Sequence, residues 1–242
     1  MLMKKRPQRL KKRMNAVLND GSGIIENIST NGGFLKTDHK IPEGDFPIKL
    51  KLMGFKTIQI NCEPQWNNEC GVGFKIIDVE NKKQIFFNQY IDNQLKAFES
   101  YGSNQIFSTE ILVTLKDTNA FGNVYFSNYI EYQGAIREKF LLATVPDIHE
   151  MIVQKGIRLV TVDTYNKFIS NSYFGDTLLA ELTTSDMNAA TCRLNICFKN
   201  KDTGKLVGQG YQRVCVVNSK GRVTRIPDAF LFPLDFYQEI KN

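Results

Sequence analysis

Residues Asp117–Phe140 read DTNAFGNVYFSNYIEYQGAIREKF. The stretch ends a strand, turns at a glycine and continues as one long apolar helix, expected over about 124–142. Polar side chains recur where a helix that only packs would carry none. Asn119, Asn123, Tyr129, Arg137 and Glu138 each need a partner or a ligand once buried. Gly122 marks the turn, and the amides around Gly122–Tyr125 are expected at the helix N-terminus, where unpaired N–H groups and the helix dipole favour negative charge.

Outward from this stretch, a strand is expected at about 108–116, before the helix. Four β-rich runs follow at 158–169, 177–186, 191–199 and 205–218, with DMNAA and NKDTG as turns between the last three. One strand, a helix and four strands describe an antiparallel sheet around a central helix. The first 95 residues are different in kind. Short β-prone runs at 23–28, 34–37, 46–53, 57–64 and 71–79 alternate with NDGSG, STNGG, PEGD and GVG, as in a small antiparallel barrel or sandwich. A helix is expected over 83–98, and SYGSNQ reads as a linker. The fold expectation is two domains: a small antiparallel β-barrel over 1–99, a linker over 100–105, and an α+β sheet-and-helix domain with a C-terminal tail over 106–242.

Composition bounds the function. The 242 residues are 42% hydrophobic and 11% aromatic, enough for real cores, and no run approaches the ~20 apolar residues of a membrane span. The N-terminus MLMKKRPQRLKKR lacks the apolar stretch of a secretory signal. Five cysteines without a CxxC pair suit a reduced, cytoplasmic protein. The two histidines, His39 and His149, lie far apart, which argues against a histidine triad or a Cys/His metal site. The net charge is +6, yet the first 13 residues hold seven basic side chains and no acid, so the rest of the chain is slightly acidic. A basic arm on a near-neutral body points to phosphate.

The arm carries an RxxxR pair, Arg9 and Arg13, with Arg6 before it. Asn27-Ile28-Ser29-Thr30-Asn31-Gly32 follows as an [Asp/Asn]-x-Ser-x-x-Gly pattern, and Gly71-Val72-Gly73-Phe74 comes later. Guanidinium forks grip phosphates and stack on purines. Asn27 and Ser29 offer short donors and acceptors, and Gly32 is expected to adopt φ > 0 and let a ligand approach. Over roughly residues 4–95 these motifs resemble the PilZ domain, which binds cyclic di-GMP. The resemblance implies a nucleotide site of Arg6, Arg9, Arg13, Asn27, Ser29 and Gly32, a bacterial signalling role, and an arm that is disordered when free and folds over its ligand. It assigns the arm to a nucleotide rather than to nucleic acid or a membrane surface.

TN-x-x-GNVY, a tyrosine early on the helix, QG-x-x-RE and the later GIRLVTV run resemble hotdog-fold thioesterases of the 4-hydroxybenzoyl-CoA thioesterase-like branch, and most closely those of enediyne polyketide pathways, over roughly 108–225. Many hotdog thioesterases carry an acid at the position of Asn119; the enediyne relatives carry Asn. The resemblance implies Asn119, Tyr129 and Arg137 as the active set, with no cofactor for catalysis, and a homodimer acting on acyl-CoA or acyl-carrier protein. Asparagine cannot ionise, so it orients a carbonyl or a water. Arg137 is expected to stabilise an oxyanion or to hold the substrate's carbonyl groups. Glu131 and Glu138, seven apart on one helical face, are the candidate bases. The alternative is a module that binds an acyl chain or acyl-carrier protein under nucleotide control without turning it over.

Overall fold

The computed structural model describes residues 9–53, 56–80, 83–101 and 105–239, with Ser100 and Tyr101 as backbone only. The chain divides into two compact units, the second spanning Asn104–Glu239.

The first unit is a closed six-stranded antiparallel barrel. Its strands are β1 (Met14–Leu18), β2 (Gly21–Ser29), β3 (Gly32–Lys36), β4 (Phe46–Leu52), β5 (Lys56–Asn68) and β6 (Gly71–Val79), in the order β1-β2-β3-β6-β5-β4. Pairing of Ala16 with Leu50 closes it. Alternation sets the core: Phe46, Ile48, Leu50 and Leu52 of β4 and Ile58, Ile60 and Cys62 of β5 point inward, while the residues between them face out. Strand β1 was not expected from the sequence. It joins β2 through the two-residue turn Asn19-Asp20, the start of the expected NDGSG turn; the basic residues before β1 hid the strand, not the turn.

Helix α1 (Gln84–Tyr101) buries Phe87, Tyr90 and Ile91, and the Tyr90 hydroxyl reaches Met14 Sδ at 3.7 Å. The helix runs past the expected end at 98; residues 102–104 of the expected linker lie outside the described residues. The basic segment after Arg9 contacts the barrel and α1. Leu10 exchanges both backbone hydrogen bonds with Ile28, and buried Lys12 donates to Gln94 at 3.5 Å. Within the described part of the arm, Leu10 therefore pairs with β2.

The second unit is a hotdog fold. Strands β7 (Phe107–Leu112), β8 (Arg158–Phe168), β9 (Thr177–Ser185), β10 (Thr191–Asn200) and β11 (Leu206–Val217) form an antiparallel sheet in the order β7-β9-β10-β11-β8. Helix α2 (Asn128–Thr144) packs on one face, burying Tyr129, Tyr132, Gln133, Ile136, Phe140 and Leu141; Tyr129 and Tyr132 meet Phe198 of β10 and Phe140 meets Phe107 of β7, and Leu178, Ala180, Leu182, Leu194 and Ile196 are buried in the sheet. A short α3 (Ile148–Val153) follows it. Helix α4 (Asp228–Phe236), read from sequence as a tail, covers one end of the core, where Tyr237 meets the rings of Phe107 and Phe140.

Two boundaries that differ from expectation position the site. Strand β7 stops at Leu112, and a 3-10 turn at Leu115–Asp117 replaces its end. Helix α2 begins at Asn128 rather than 124, because the segment before it is pinned as a separate loop.

Candidate functional site

Asp117 builds that loop. Its buried carboxylate accepts from the Thr114 N–H (2.7 Å) and hydroxyl (2.6 Å), while its carbonyl accepts from Tyr125 N–H (2.9 Å) and Asn128 Nδ2 (2.6 Å). Burial alone would raise the Asp117 pKa, but the Thr114 hydrogen bonds outweigh it and hold the carboxyl below its ordinary value. The expected helix-terminal amides are therefore not free. Gly122 N–H donates to Asn119 O, Val124 N–H to Ser172 O and Tyr125 N–H to Asp117 O, each at 2.9 Å. Gly122, at φ +80°, makes the tight turn and does not line the cavity described next.

A cavity of about 180 Å³ opens beside the loop, lined by Asn119, Asn123, Tyr129, Phe168 and Ser170 among others. Asn119 closes an Asx turn: its Oδ1 accepts from Phe121 N–H at 2.8 Å. Its amide nitrogen has no hydrogen-bond partner among the described residues and remains a donor. Asn123 is fixed by backbone pairing with Tyr173. Tyr129 is buried, its ring against Phe168 and Phe198, with its hydroxyl 2.8 Å from Ser172 Oγ. Burial pushes the Tyr129 pKa up, so the phenol is a neutral hydrogen-bonding group at ordinary pH.

The remaining helical candidates stand elsewhere. Helix α2 runs antiparallel to β8: Tyr129 meets Phe168, Gln133 Nε2 donates to Tyr165 O at 3.1 Å, and Arg137 donates to Thr161 Oγ1 at 2.7 Å and Gln212 Oε1 at 3.1 Å. Arg137 thus lies about 12 Å along the helix axis from Tyr129, at 1.5 Å per residue, and outside the cavity of its own chain. Glu131 and Glu138 are exposed, and Glu138 Oε1 sits 3.7 Å from Arg137 Nη2. Among the described residues no carboxylate lines the cavity. Sequence reasoning missed Ser170 and Ser172, which reach the site from the loop after β8. Only the family string flagged this site, and that string ends before them.

In the barrel, a separate cavity of about 560 Å³ is lined by Arg9, Ser29, Asn31, Gly32, Gln65, Phe74 and Lys75. Arg9 Nη1 donates to Asn27 Oδ1 at 3.2 Å, so Asn27 holds the arginine. Ser29 is buried and closes the β2–β3 turn, donating to Gly32 O at 3.0 Å and accepting from Asn31 N–H at 3.3 Å. Gly32 is not in the positive-φ region, contrary to expectation. It is needed because a Cβ there would lie 2.3 Å from Phe74 O. Arg13 does not line this cavity, and Arg6 lies outside the described residues.

A sheet of this order wrapped on a central helix, with a polar loop at the helix entrance, defines the hotdog class. Residues 113–234 match the thioesterase-like superfamily, and the chain belongs to it. No curated protein matches the chain. Among solved structures, a dynemicin thioesterase is similar at 24% identity and TM-score 0.53, covering 56% of this chain and 99% of its own. A protein from Staphylococcus aureus in complex with CoA is similar at 17% identity and TM-score 0.52, covering 57% and 88%. A 1,4-dihydroxy-2-naphthoyl-CoA thioesterase from Synechocystis is similar at 19% identity and TM-score 0.50, covering 53% and 95%. These likenesses establish the fold of the second unit. Among the described residues no helix is long and apolar enough to cross a membrane.

Proposed function

We propose that the second unit hydrolyses acyl-CoA or acyl-carrier-protein thioesters as a cytoplasmic homodimer, and that the barrel is a PilZ-like unit whose binding of cyclic di-GMP controls it. The observation that carries the hydrolytic reading is the Asn119 side chain. Its oxygen is committed to its own turn, so the free amide nitrogen is presented at a cavity shared with buried Tyr129. A thioester carbonyl placed there accepts from Asn119. Water attacks the carbonyl carbon, the C–S bond breaks, and the thiolate leaves and takes up a proton, giving acid and thiol. Preorganised donors of this kind act on charge that develops in the transition state. Membership of the thioesterase-like superfamily, and a shared fold with a protein that binds CoA, support the substrate class.

The free edge of β8 supports the dimer. Val160, Val162, Phe168 and Ile169 are exposed along it, and Phe121 of the neighbouring loop is 89% exposed. Such a contiguous apolar edge calls for a partner. Antiparallel pairing of β8 with its copy, centred between Thr164 and Tyr165, sets Thr161 against Phe168 of the partner subunit. Arg137, bonded to Thr161, then stands beside the cavity of the other chain. The active site is completed across the two-fold.

A second reading is a module that binds acyl groups or acyl-carrier protein without turnover, and the absence of a carboxylate from the cavity favours it. Thiol release from a panel of acyl-CoAs, with and without cyclic di-GMP, separates the two. Hydrolysis that changes with the nucleotide supports the proposal; binding without release in every case supports the module.

A further inference from the structure

The barrel cavity contains residues that the two arginine and Asx-Ser motifs do not account for. Gln65 and Lys75 come from β5 and β6, far in sequence from Arg9 and the β2–β3 turn, and share one cavity wall with them. Gln65 is placed there by a β-bulge. Pro64 opposes Phe74 and Trp66 opposes Gly73, so Gln65 opposes no residue of β6. Bulges of this kind re-aim a side chain.

The sequence around the bulge fixes it. The Trp66 indole lies across Gly73, where a Cβ would stand 2.2 Å from the ring, and Trp66 stacks on Phe34 with centroids 5.4 Å apart. The indole therefore anchors the strand immediately after Gln65, while Pro64 precedes it with no N–H to pair. Among the described residues the Gln65 amide has no hydrogen-bond partner, so it offers two donors and an acceptor to a ligand. Lys75 is one strand away. Its carboxylate neighbour, Glu63, is 3.8 Å off, and both side chains are largely solvated, so the pair is weak. Among the described residues Arg9 pairs with neutral Asn27. Two cations and an unpaired amide in one cavity suit a phosphate joined to a hydrogen-bonding base edge.

We infer that Gln65 and Lys75 are ligand-contacting residues of the nucleotide site, Lys75 holding a phosphate and Gln65 reading the edge of a purine. This rests on the reading of the barrel as a cyclic dinucleotide binder. An amide that pairs with a base edge discriminates between purines, whereas an ammonium holds phosphate without regard to the base. The two residues should therefore separate selectivity from affinity.

The test is calorimetric titration of the full chain with cyclic di-GMP and cyclic di-AMP, in wild type, Gln65→Ala, Lys75→Ala and an Arg9→Ala/Arg13→Ala double variant, each checked for unchanged melting. Gln65→Ala should reduce the preference between the two dinucleotides about tenfold. Lys75→Ala should weaken both about tenfold and flatten the salt dependence. If wild type and Gln65→Ala show the same preference, and Lys75→Ala the same affinity, while the double arginine variant loses binding, the inference is overturned and the barrel reading stands. If wild type binds neither dinucleotide, the barrel reading fails and the inference falls with it. Gln65→Glu, which keeps the bulge and size, should lose affinity for both ligands through charge repulsion; unchanged binding there also overturns the placement of Gln65.

Discussion

Arg137 donates to Thr161 at 2.7 Å, and that bond ties the one buried-side cation of α2 to the free edge strand of the sheet. The contact carries the guanidinium away from its own chain's Asn119 cavity and toward any strand that pairs with β8. A family motif that looks local in sequence is thereby divided between two places in the fold.

Asn119→Ala should lower kcat for acyl-CoA hydrolysis by roughly 10²-fold, the scale for loss of one oxyanion donor, with little change in folding. Asn119→Asp keeps an oxygen for the Phe121 N–H and so keeps the turn. It replaces the donor with charge, and its activity should also fall at neutral pH and recover partly in acid, where a protonated carboxyl donates again. Steady-state pH profiles of both variants check this. A gain in rate at neutral pH for Asn119→Asp would mean that the site works best with a carboxylate.

Val162→Asp should dissociate the assembly. The β8–β11 register passes from Asp163–Arg213 to Thr161–Val214, which leaves Val162 bulged on the free edge and 55% exposed. A carboxylate introduced on this apolar edge would have to be buried at the contact, which is costly to desolvate. Sedimentation should report monomer, with activity lost alongside the dimer.

Gly210→Ala should destabilise the second unit by about 1–3 kcal/mol. A Cβ there would meet Tyr165 O at 2.0 Å and Gln133 Nε2 at 2.7 Å. The carbonyl is backbone and cannot step aside, so β8 must shift from β11. Denaturant midpoints measure the loss.

Acid should loosen the entrance loop. The Asp117 carboxyl is held below its ordinary pKa in the folded chain, so its contribution is fully present above the unfolded value of about 3.9 and is lost as pH falls through the lower folded value. Thr114→Val removes the hydroxyl donor and should reduce this acid sensitivity, along with stability at neutral pH. Melting temperatures of wild type and variant across that range test the sign.

Much of this was legible in sequence because the signals were local. The four long strands after α2 announce themselves by β-branched runs and turn residues, and the hotdog order follows from them. The helix start was misread because Val124, Tyr125 and Phe126 are as apolar as the helix itself. What removes them from it is a bond to Ser172, distant in the chain, and the double acceptance by the Asp117 carbonyl. Helix α4 was hidden by Pro233 inside the run DAFLFPLDF. Gly32 read as a flexible turn residue, whereas its role is close packing against β6, a cross-strand fact with no local mark. The same holds for Gln65, which only the register of β5 on β6 brings to the cavity. Asn119 and Tyr129 converge as their shared motif suggested, and Arg137 does not, because helical rise separates it from them.

The claim that one site draws Asn119 from one chain and Arg137 from its partner is tested most directly by mixing subunits. Asn119→Ala and Arg137→Ala are each assayed for acyl-CoA hydrolysis, then unfolded together in equal amounts and refolded. Random assortment makes half the dimers mixed, each with one intact site, so activity should return to about a quarter of wild type. A mixture no more active than its two components would contradict the shared site.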